Sequence, residues 1–215
     1  MMDSNLTSQK NNLLLAVLPH VAFSGWSPMS IDKGCADIGV DPQQAHMLFP
    51  SGVKEMIVWY SAYADQEMVA ALQPELNGLN GVKAKVFRSI QLRLQQNLRY
   101  REAIRLGLSY LLLPWNQAAA WTSLYQTIDG VWHSIGDQSV DFNFYTKRLT
   151  LAGVYSSTLF YWLQDSSPNH EKTWDFLHNR LQDTARIPKI RQQLKSAQQH
   201  FPSPLRMLKK LRKSL

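Results

Sequence analysis

One cysteine, Cys35, stands in a chain of 215 residues. An intrachain disulfide and a zinc site built on cysteines are both excluded, and so sparing a use of the residue points to a reducing compartment. Glycine is also scarce, at 10 residues, and no group of them has the spacing of a loop that cradles phosphate. There is no G-x-S-x-G. The six histidines (His20, His46, His133, His170, His178 and His200) are scattered. No H-E-x-x-H occurs, and none of the five glutamates begins an E-x-x-H, so the simplest zinc-protease and di-iron readings fall away. No metal site and no catalytic residue is selected, and the reading is of a protein that is not an enzyme. Alternating β-branched segments are missing too, which removes the strand-rich folds.

The first dozen residues hold one Lys and one Asp and lack the form of a secretory or transit leader. The longest uncharged stretch, Leu106 to Ile128, contains Pro114, Asn116, Gln117 and Gln126, which argues against a membrane-spanning helix. Apolar residues make up 45% of the chain, enough for a packed core.

The net charge of +7 is unevenly placed. Nine of the 23 Lys and Arg residues fall between Thr184 and Leu215, a stretch without Asp or Glu. The rest of the chain has 14 basic residues against 16 acidic ones and is mildly acidic. An anionic partner is therefore to be sought at the tail.

What is there is helical almost throughout. A first helix is expected over about Ser8 to Val21. Ser27-Pro28 and Asp41-Pro42 each place a capping side chain before a proline at the first helical position, announcing helices that end near Gly39 and before Pro50. Three short helices with tight turns read as a helix-turn-helix-type unit over residues 1–50. Longer helices follow: a stripe from Val53 to Ala71, another from Val86 to Leu98 after the break at Pro74–Gly78, and one from Arg101 to Pro114. A further stripe holds Trp121, Leu124, Tyr125, Ile128, Trp132 and Ile135. A buried helix is expected from about Phe144 to Leu163, and a helix carrying Trp174, Leu177 and Leu181 comes after it. These make a helical domain over residues 51–200.

The tri-helical unit invites a DNA-binding reading, and its charge opposes it. Met1 to Pro50 contains Lys10 and Lys33 against Asp3, Asp32, Asp37 and Asp41, with no arginine. Phosphate contacts by Lys and Arg supply most of the affinity for a duplex. The expectation is a regulator-like shape that binds no nucleic acid, with a ligand-responsive transcriptional regulator as the alternative.

Three features could carry function. In residues 203–215, Leu205, Met207, Leu208, Leu211 and Leu215 share one helical arc, and Arg206, Lys209, Lys210 and Lys213 share the other. Arg212 intrudes on the apolar arc, where its stem can snorkel. That is the pattern of a helix lying on an anionic membrane surface, the alternative being a solvated basic tail. Next, Arg148, Ala152, Tyr155, Leu159 and Trp162 lie along one face of the apolar helix. An arginine ending such a stripe suits a pocket for a lipid tail and its phosphate, or it pairs with a carboxylate. Last, Asp141-Phe142-Asn143-Phe144-Tyr145 packs aromatics at a helix start, as a partner-binding hot spot or as a cap with its staple.

These residues bring a family into view. Gly136-Asp-Gln-Ser-Val-Asp-Phe-Asn-Phe-Tyr-Thr-Lys-Arg-Leu149 resembles the signature of the Coq-nine family, lipid-binding accessory proteins of ubiquinone biosynthesis. The match continues through Leu151-Ala-Gly-Val-Tyr155, Gln164-Asp-Ser-Ser-Pro168 and Thr173-Trp-Asp-Phe-Leu177. Upstream, Gly25-Trp26, the Asp-Ile-Gly-Val-Asp-Pro stretch ending at Pro42, and Leu48-Phe-Pro50 are similar to the family's start. The resemblance implies an all-α, TetR-regulator-like bundle with an amphipathic C-terminal helix, and a homodimer that does not act on DNA. It implies no cofactor beyond a bound isoprenoid or phospholipid. It also implies that the protein presents a quinone precursor to a membrane-associated di-iron demethoxyubiquinone hydroxylase. Arg148 then matches the lipid-headgroup arginine, and Asp141, Phe144 and Tyr145 match the partner patch, where the family usually has Trp in place of Phe144. The membrane contact falls to Leu205, Leu208, Lys209, Lys210, Leu211, Arg212 and Lys213. The location implied is the bacterial cytoplasm, peripherally on the inner membrane, or the matrix side in mitochondrial relatives.

Overall fold

The computed structural model describes residues 2–137 and 142–184. Asp141 and all seven residues expected at the membrane, from Leu205 to Lys213, lie outside the described residues. Nine α-helices and no strands are found among those described: α1 (Met2–Ser24), α2 (Pro28–Ile38), α3 (Pro42–Leu48), α4 (Val53–Leu72), α5 (Val82–Gln96), α6 (Arg101–Leu111), α7 (Gln117–Ser134), α8 (Phe142–Trp162) and α9 (Glu171–Thr184).

The two capping signals act as the chemistry requires. Ser27 Oγ accepts from the backbone N–H of Ser30, and Ser30 Oγ accepts from that of Ser27, a reciprocal box at the start of α2. Gly39 ends α2 in the left-handed conformation, at φ 65°. Asp41 Oδ1 accepts from Gln43 N at 2.8 Å to open α3.

Two expectations need correction. The first helix is longer than about Ser8–Val21, running through Pro19 to Ser24. Leu13, Leu14, Val17, Leu18 and Val21 are all buried, and that packing carries the helix across a residue without an N–H donor. The α7 stripe faces the core at Leu124, Ile128, Trp132 and Ile135 but not at its outer members. Trp121 and Tyr125 are 69% and 53% exposed, and the buried face is Ser123, Thr127, Ile128, Val131 and Trp132.

Two hydrophobic cores result. One holds Leu14, Val17 and Val21 of α1 against Cys35, Leu48 and Phe49, with Met56 and Tyr60 of α4. The other gathers Met68 and Leu72 of α4, Ile90 and Leu94 of α5, Ile128 and Trp132 of α7, and Leu151, Leu159 and Trp162 of α8, closed by Leu177 and Leu181 of α9. Helix α4 runs through both. Trp26 Nε1 donates to the Ala103 carbonyl at 2.8 Å, fastening the first unit to α6.

Candidate functional site

Helix α8 needs burial on one face, and its residues show which. Tyr155, Leu159 and Trp162 are 4%, 6% and 0% exposed, part of the larger core. Ala152, one turn before Tyr155, is half-buried. Of the five residues read as a lipid-lining stripe, three are therefore core wall, and Arg148 with Ala152 stands at its edge.

Arg148 is held from two sides. Its Nε and Nη2 donate to Asp129 Oδ1 of α7 at 2.9 and 2.6 Å. The Phe144 ring lies against the guanidinium, with its centroid 3.4 Å from Cζ. The carboxylate pairing weighed as the alternative from the sequence is thus present. It leaves one end of the fork over. Nη1 is buried, stands 3.9 Å from Asp137 Oδ2, and has no hydrogen-bond partner among the described residues. A buried guanidinium N–H pair without an acceptor is costly, and an oxygen of an anionic ligand would satisfy it. Lys147 lies next to it, bonding Asp137 Oδ1 at 2.7 Å with its ammonium 5.4 Å from the Trp132 ring.

Phe144 and Tyr145 meet edge to face, their centroids 5.1 Å apart. Phe144 is occupied on its other side by Arg148, so it positions the arginine as well as contributing surface. Tyr145 and Leu149 are 72% and 77% exposed. Leu149 belongs to this patch and was not singled out from the sequence. Its lie one turn after Tyr145 was the available signal.

The buried polar centre of the bundle was not foreseen either. Arg93 of α5 bonds Asp65 Oδ1 at 2.6 Å, the Tyr155 hydroxyl at 2.6 Å and Ser61 Oγ at 3.1 Å, while Thr127 Oγ1 donates to Asp65 Oδ2 at 2.9 Å. Burial alone would lower the Arg93 pKa, but the facing Asp65 charge outweighs it and raises it. Burial raises the Tyr155 hydroxyl above its ordinary value, so it stays a neutral acceptor for the arginine. Nothing in α5 marks Arg93 from the sequence, since it sits between the buried Leu92 and Leu94.

A groove of about 450 Å³ lies elsewhere, between α1 and the α2–α3 turn, lined by Leu13, Ala16, Ile38, Val40 and Leu48 with Gln9, Asn12 and Gln44. None of the residues selected from the sequence lines it. Among the described residues there is no cluster of His, Cys, Asp or Glu that could hold a metal ion, and no helix long and apolar enough to cross a membrane.

Residues 117–188 match the family described as COQ9. The ubiquinone biosynthesis protein COQ9, mitochondrial, of Rattus norvegicus is 33% identical over 194 residues, covering 87% of this chain and 62% of that protein. The Homo sapiens protein of the same name is 31% identical, covering 87% and 61%. The chain thus spans about three fifths of the length of these curated relatives. Among solved structures, a TetR transcriptional regulator from Nitrosomonas europaea superposes with a TM-score of 0.68 at 19% identity, covering 83% of this chain and 98% of that one. The fold is therefore all-α and TetR-like.

Proposed function

Because this chain belongs to the COQ9 family, we propose that it is a noncatalytic lipid-binding accessory protein of ubiquinone biosynthesis. It takes up an isoprenoid quinone precursor or a phospholipid and presents it to a membrane-associated hydroxylase. The names of its relatives support the pathway. The single observation that carries lipid binding is the buried Nη1 of Arg148 at the edge of an apolar helix face, a nitrogen with no hydrogen-bond partner among the described residues. A long isoprenoid leaves a bilayer only at a large hydrophobic cost, and a helical protein seated on the surface lowers it by offering apolar contact continuously. The anionic or polar head meets Arg148, and the tail runs along α8 past Ala152. Tyr155, Leu159 and Trp162 form the wall that must part to admit it.

On this reading Tyr145 and Phe144 face the hydroxylase, together with Asp141, and the chain acts as a homodimer at a membrane of the compartment where its relatives work. Those relatives are named as mitochondrial. The basic amphipathic segment at 203–215 supplies electrostatic attraction to anionic lipid.

The test is native mass spectrometry with lipid extraction on the full chain, for the wild type, Arg148→Ala and Arg148→Lys. The wild type should carry isoprenoid or phospholipid, Arg148→Ala should lose most of it, and Arg148→Lys should keep part. A wild-type protein free of lipid that also rejects quinone precursors would overturn the reading. Equal lipid content in all three would remove Arg148 from the site.

A further inference from the structure

The outward face of the α6–α7 hairpin carries exposed aromatic and apolar residues that the site above does not use. Trp115 at the turn is 73% exposed, Leu112 before it 56%, and Trp121 and Tyr125 along α7 are 69% and 53%. Ala118 and Thr122, on the same side of α7, are also exposed. At 1.5 Å per residue the band from Trp115 to Tyr125 is about 15 Å long.

The hairpin is built to present these rings. Pro114 opens the 3-10 turn Pro114–Asn116. Asn116, 3% exposed, turns inward and donates Nδ2–H to the Tyr110 carbonyl at 3.0 Å. Its backbone N–H bonds the Leu113 carbonyl at 2.9 Å. The turn is pinned from inside, so Trp115 projects outward. Neither exposed indole nitrogen is hydrogen-bonded to a described residue, and α7 is anchored behind them by Ser123, Thr127 and Val131.

The chemistry of the face selects its occupant. No charge occurs from Leu106 to Ile128. Arg101 and Arg105, at the far end of α6, are turned onto the Asp165 and Leu163 carbonyls. Glu102 pairs with Arg105 at 3.1 Å at that same end, and Asp129 is held by Arg148. A protein partner is normally placed by a polar and charged rim around an apolar centre, and the face from Leu112 to Tyr125 has no charge of its own to offer one. Tryptophan and tyrosine without charge, on a projecting turn, suit the headgroup level of a bilayer, where the ring is buried and the N–H or O–H stays wet. We infer that the α6–α7 hairpin is a second membrane-contact surface, inserting Trp115 and Trp121 into the interface of a lipid bilayer independently of lipid charge. The inference rests on the proposed function only in that both require the protein to work at a membrane.

Its independence from charge makes it testable beside the basic tail. The full chain would be floated with phosphatidylcholine vesicles, which are zwitterionic, at about 50 mM and 500 mM salt, where the Debye length falls from roughly 14 to 4 Å. Binding should persist at high salt. Trp115→Ala/Trp121→Ala should lower the partition coefficient about tenfold for each indole, and Trp115→Phe/Trp121→Phe should recover part of it. Both positions are exposed, and an unchanged melting temperature checks that the variants fold. No binding to phosphatidylcholine, loss of binding at high salt, or equal binding by the double alanine variant would each overturn the inference. If that variant instead breaks an oligomer in sedimentation equilibrium while vesicle binding is unchanged, the face belongs to a second copy. Lipid extraction separates the two proposals. Trp115→Ala/Trp121→Ala should keep its co-purified lipid, and Arg148→Ala should lose lipid and keep vesicle binding.

Discussion

The Arg93 guanidinium donates to the Tyr155 hydroxyl at 2.6 Å, joining α5 to α8 in the middle of the larger core. Asp65 of α4 completes the arrangement at 2.6 Å from Arg93 Nε. Three helices are thus held by one cation inside a core of aliphatic and aromatic side chains. A stripe residue read from the sequence as lipid-lining is in this way also the acceptor of a buried arginine, and any movement of α8 that admits a ligand has to respect that bond.

Removing one partner of that pair should be severe. Asp65→Asn or Arg93→Met should each lower unfolding free energy by about 3–5 kcal/mol, because a buried charge is left without its counterion. Tyr155→Phe should cost about 1 kcal/mol. Urea titrations followed by far-ultraviolet circular dichroism compare the three directly. A loss of under 1 kcal/mol for Asp65→Asn would show that the pair is solvated.

Asp165 gives a pH signature. It is 6% exposed and accepts from Ser167 N at 2.8 Å, Thr173 N at 2.9 Å and Thr173 Oγ1 at 2.6 Å. Burial opposes its charge, but the hydrogen bonds from Thr173 and Ser167 outweigh that and hold the carboxyl well below the usual carboxylate range. With the folded-state pKa depressed, the stabilisation is fully present above the ordinary carboxylate value and is lost as pH falls beneath it. Asp165→Asn should cost about 1–3 kcal/mol at pH 7. The gap from wild type should shrink from about pH 5 downward. A gap that stays constant to pH 3 would show that the charge plays no part.

Gly34 tests close packing between α1 and α2. A Cβ there would stand 2.9 Å from Val17 Cα and N. Helix propensity alone favours Ala over Gly by about 1 kcal/mol, whereas overpacking costs about 1–3 kcal/mol or more. Backbone atoms cannot yield as a side-chain tip can, so Gly34→Ala should be destabilising. A raised melting temperature would mean that the helices separate freely.

The partner patch is checked by Phe144→Lys and Tyr145→Ala. Co-purification with a demethoxyubiquinone hydroxylase should be lost in both. Tyr145 is exposed, so its variant should keep wild-type stability. Phe144→Lys also withdraws the ring from Arg148, so it should lower lipid content while Tyr145→Ala does not. Retained association in both variants would move the partner elsewhere.

The transcriptional reading has its own assay. The first unit has few cations, and Lys10 is committed to Glu55 at 3.0 Å, its ammonium 4.5 Å from the Trp59 ring. Fluorescence anisotropy with random duplex DNA at about 50 mM salt should give the same affinity for the wild type and Lys10→Glu/Lys33→Glu, since any non-specific affinity comes from the basic residues after Thr184. Tight, salt-dependent binding that the double variant abolishes would restore the regulator.

Much of the fold was legible because helix starts are written locally. Ser27-Pro28 and Asp41-Pro42 each carry a cap acceptor and a fixed φ within two residues, and both helices begin there. Periodicity placed α7, but it reports a helix and not the direction of its neighbours. Trp121 and Tyr125 share a stripe with Ile128 and Trp132, yet only the latter two reach the core. Arg148 was legible as a lone cation on an apolar face. Its Asp129 partner was not, being on another helix with no sequence relation to it. Arg93 was hidden for the same reason, since Asp65 and Tyr155 are separated from it by 28 and 62 residues.

Helix α4 places Met56 and Tyr60 in one core and Met68 and Leu72 in the other. A rigid element shared in this way denies either half a private unfolding event. To open the first unit, the chain must strip Met56 and Tyr60 from their neighbours while holding Met68 in place, and one helix cannot do this without fraying midway. The amides of α1 should therefore exchange with solvent as slowly as those of α5, through a single global opening. On that expectation the N-terminal unit is energetically ballast welded to the α5–α8 half, not a separable head.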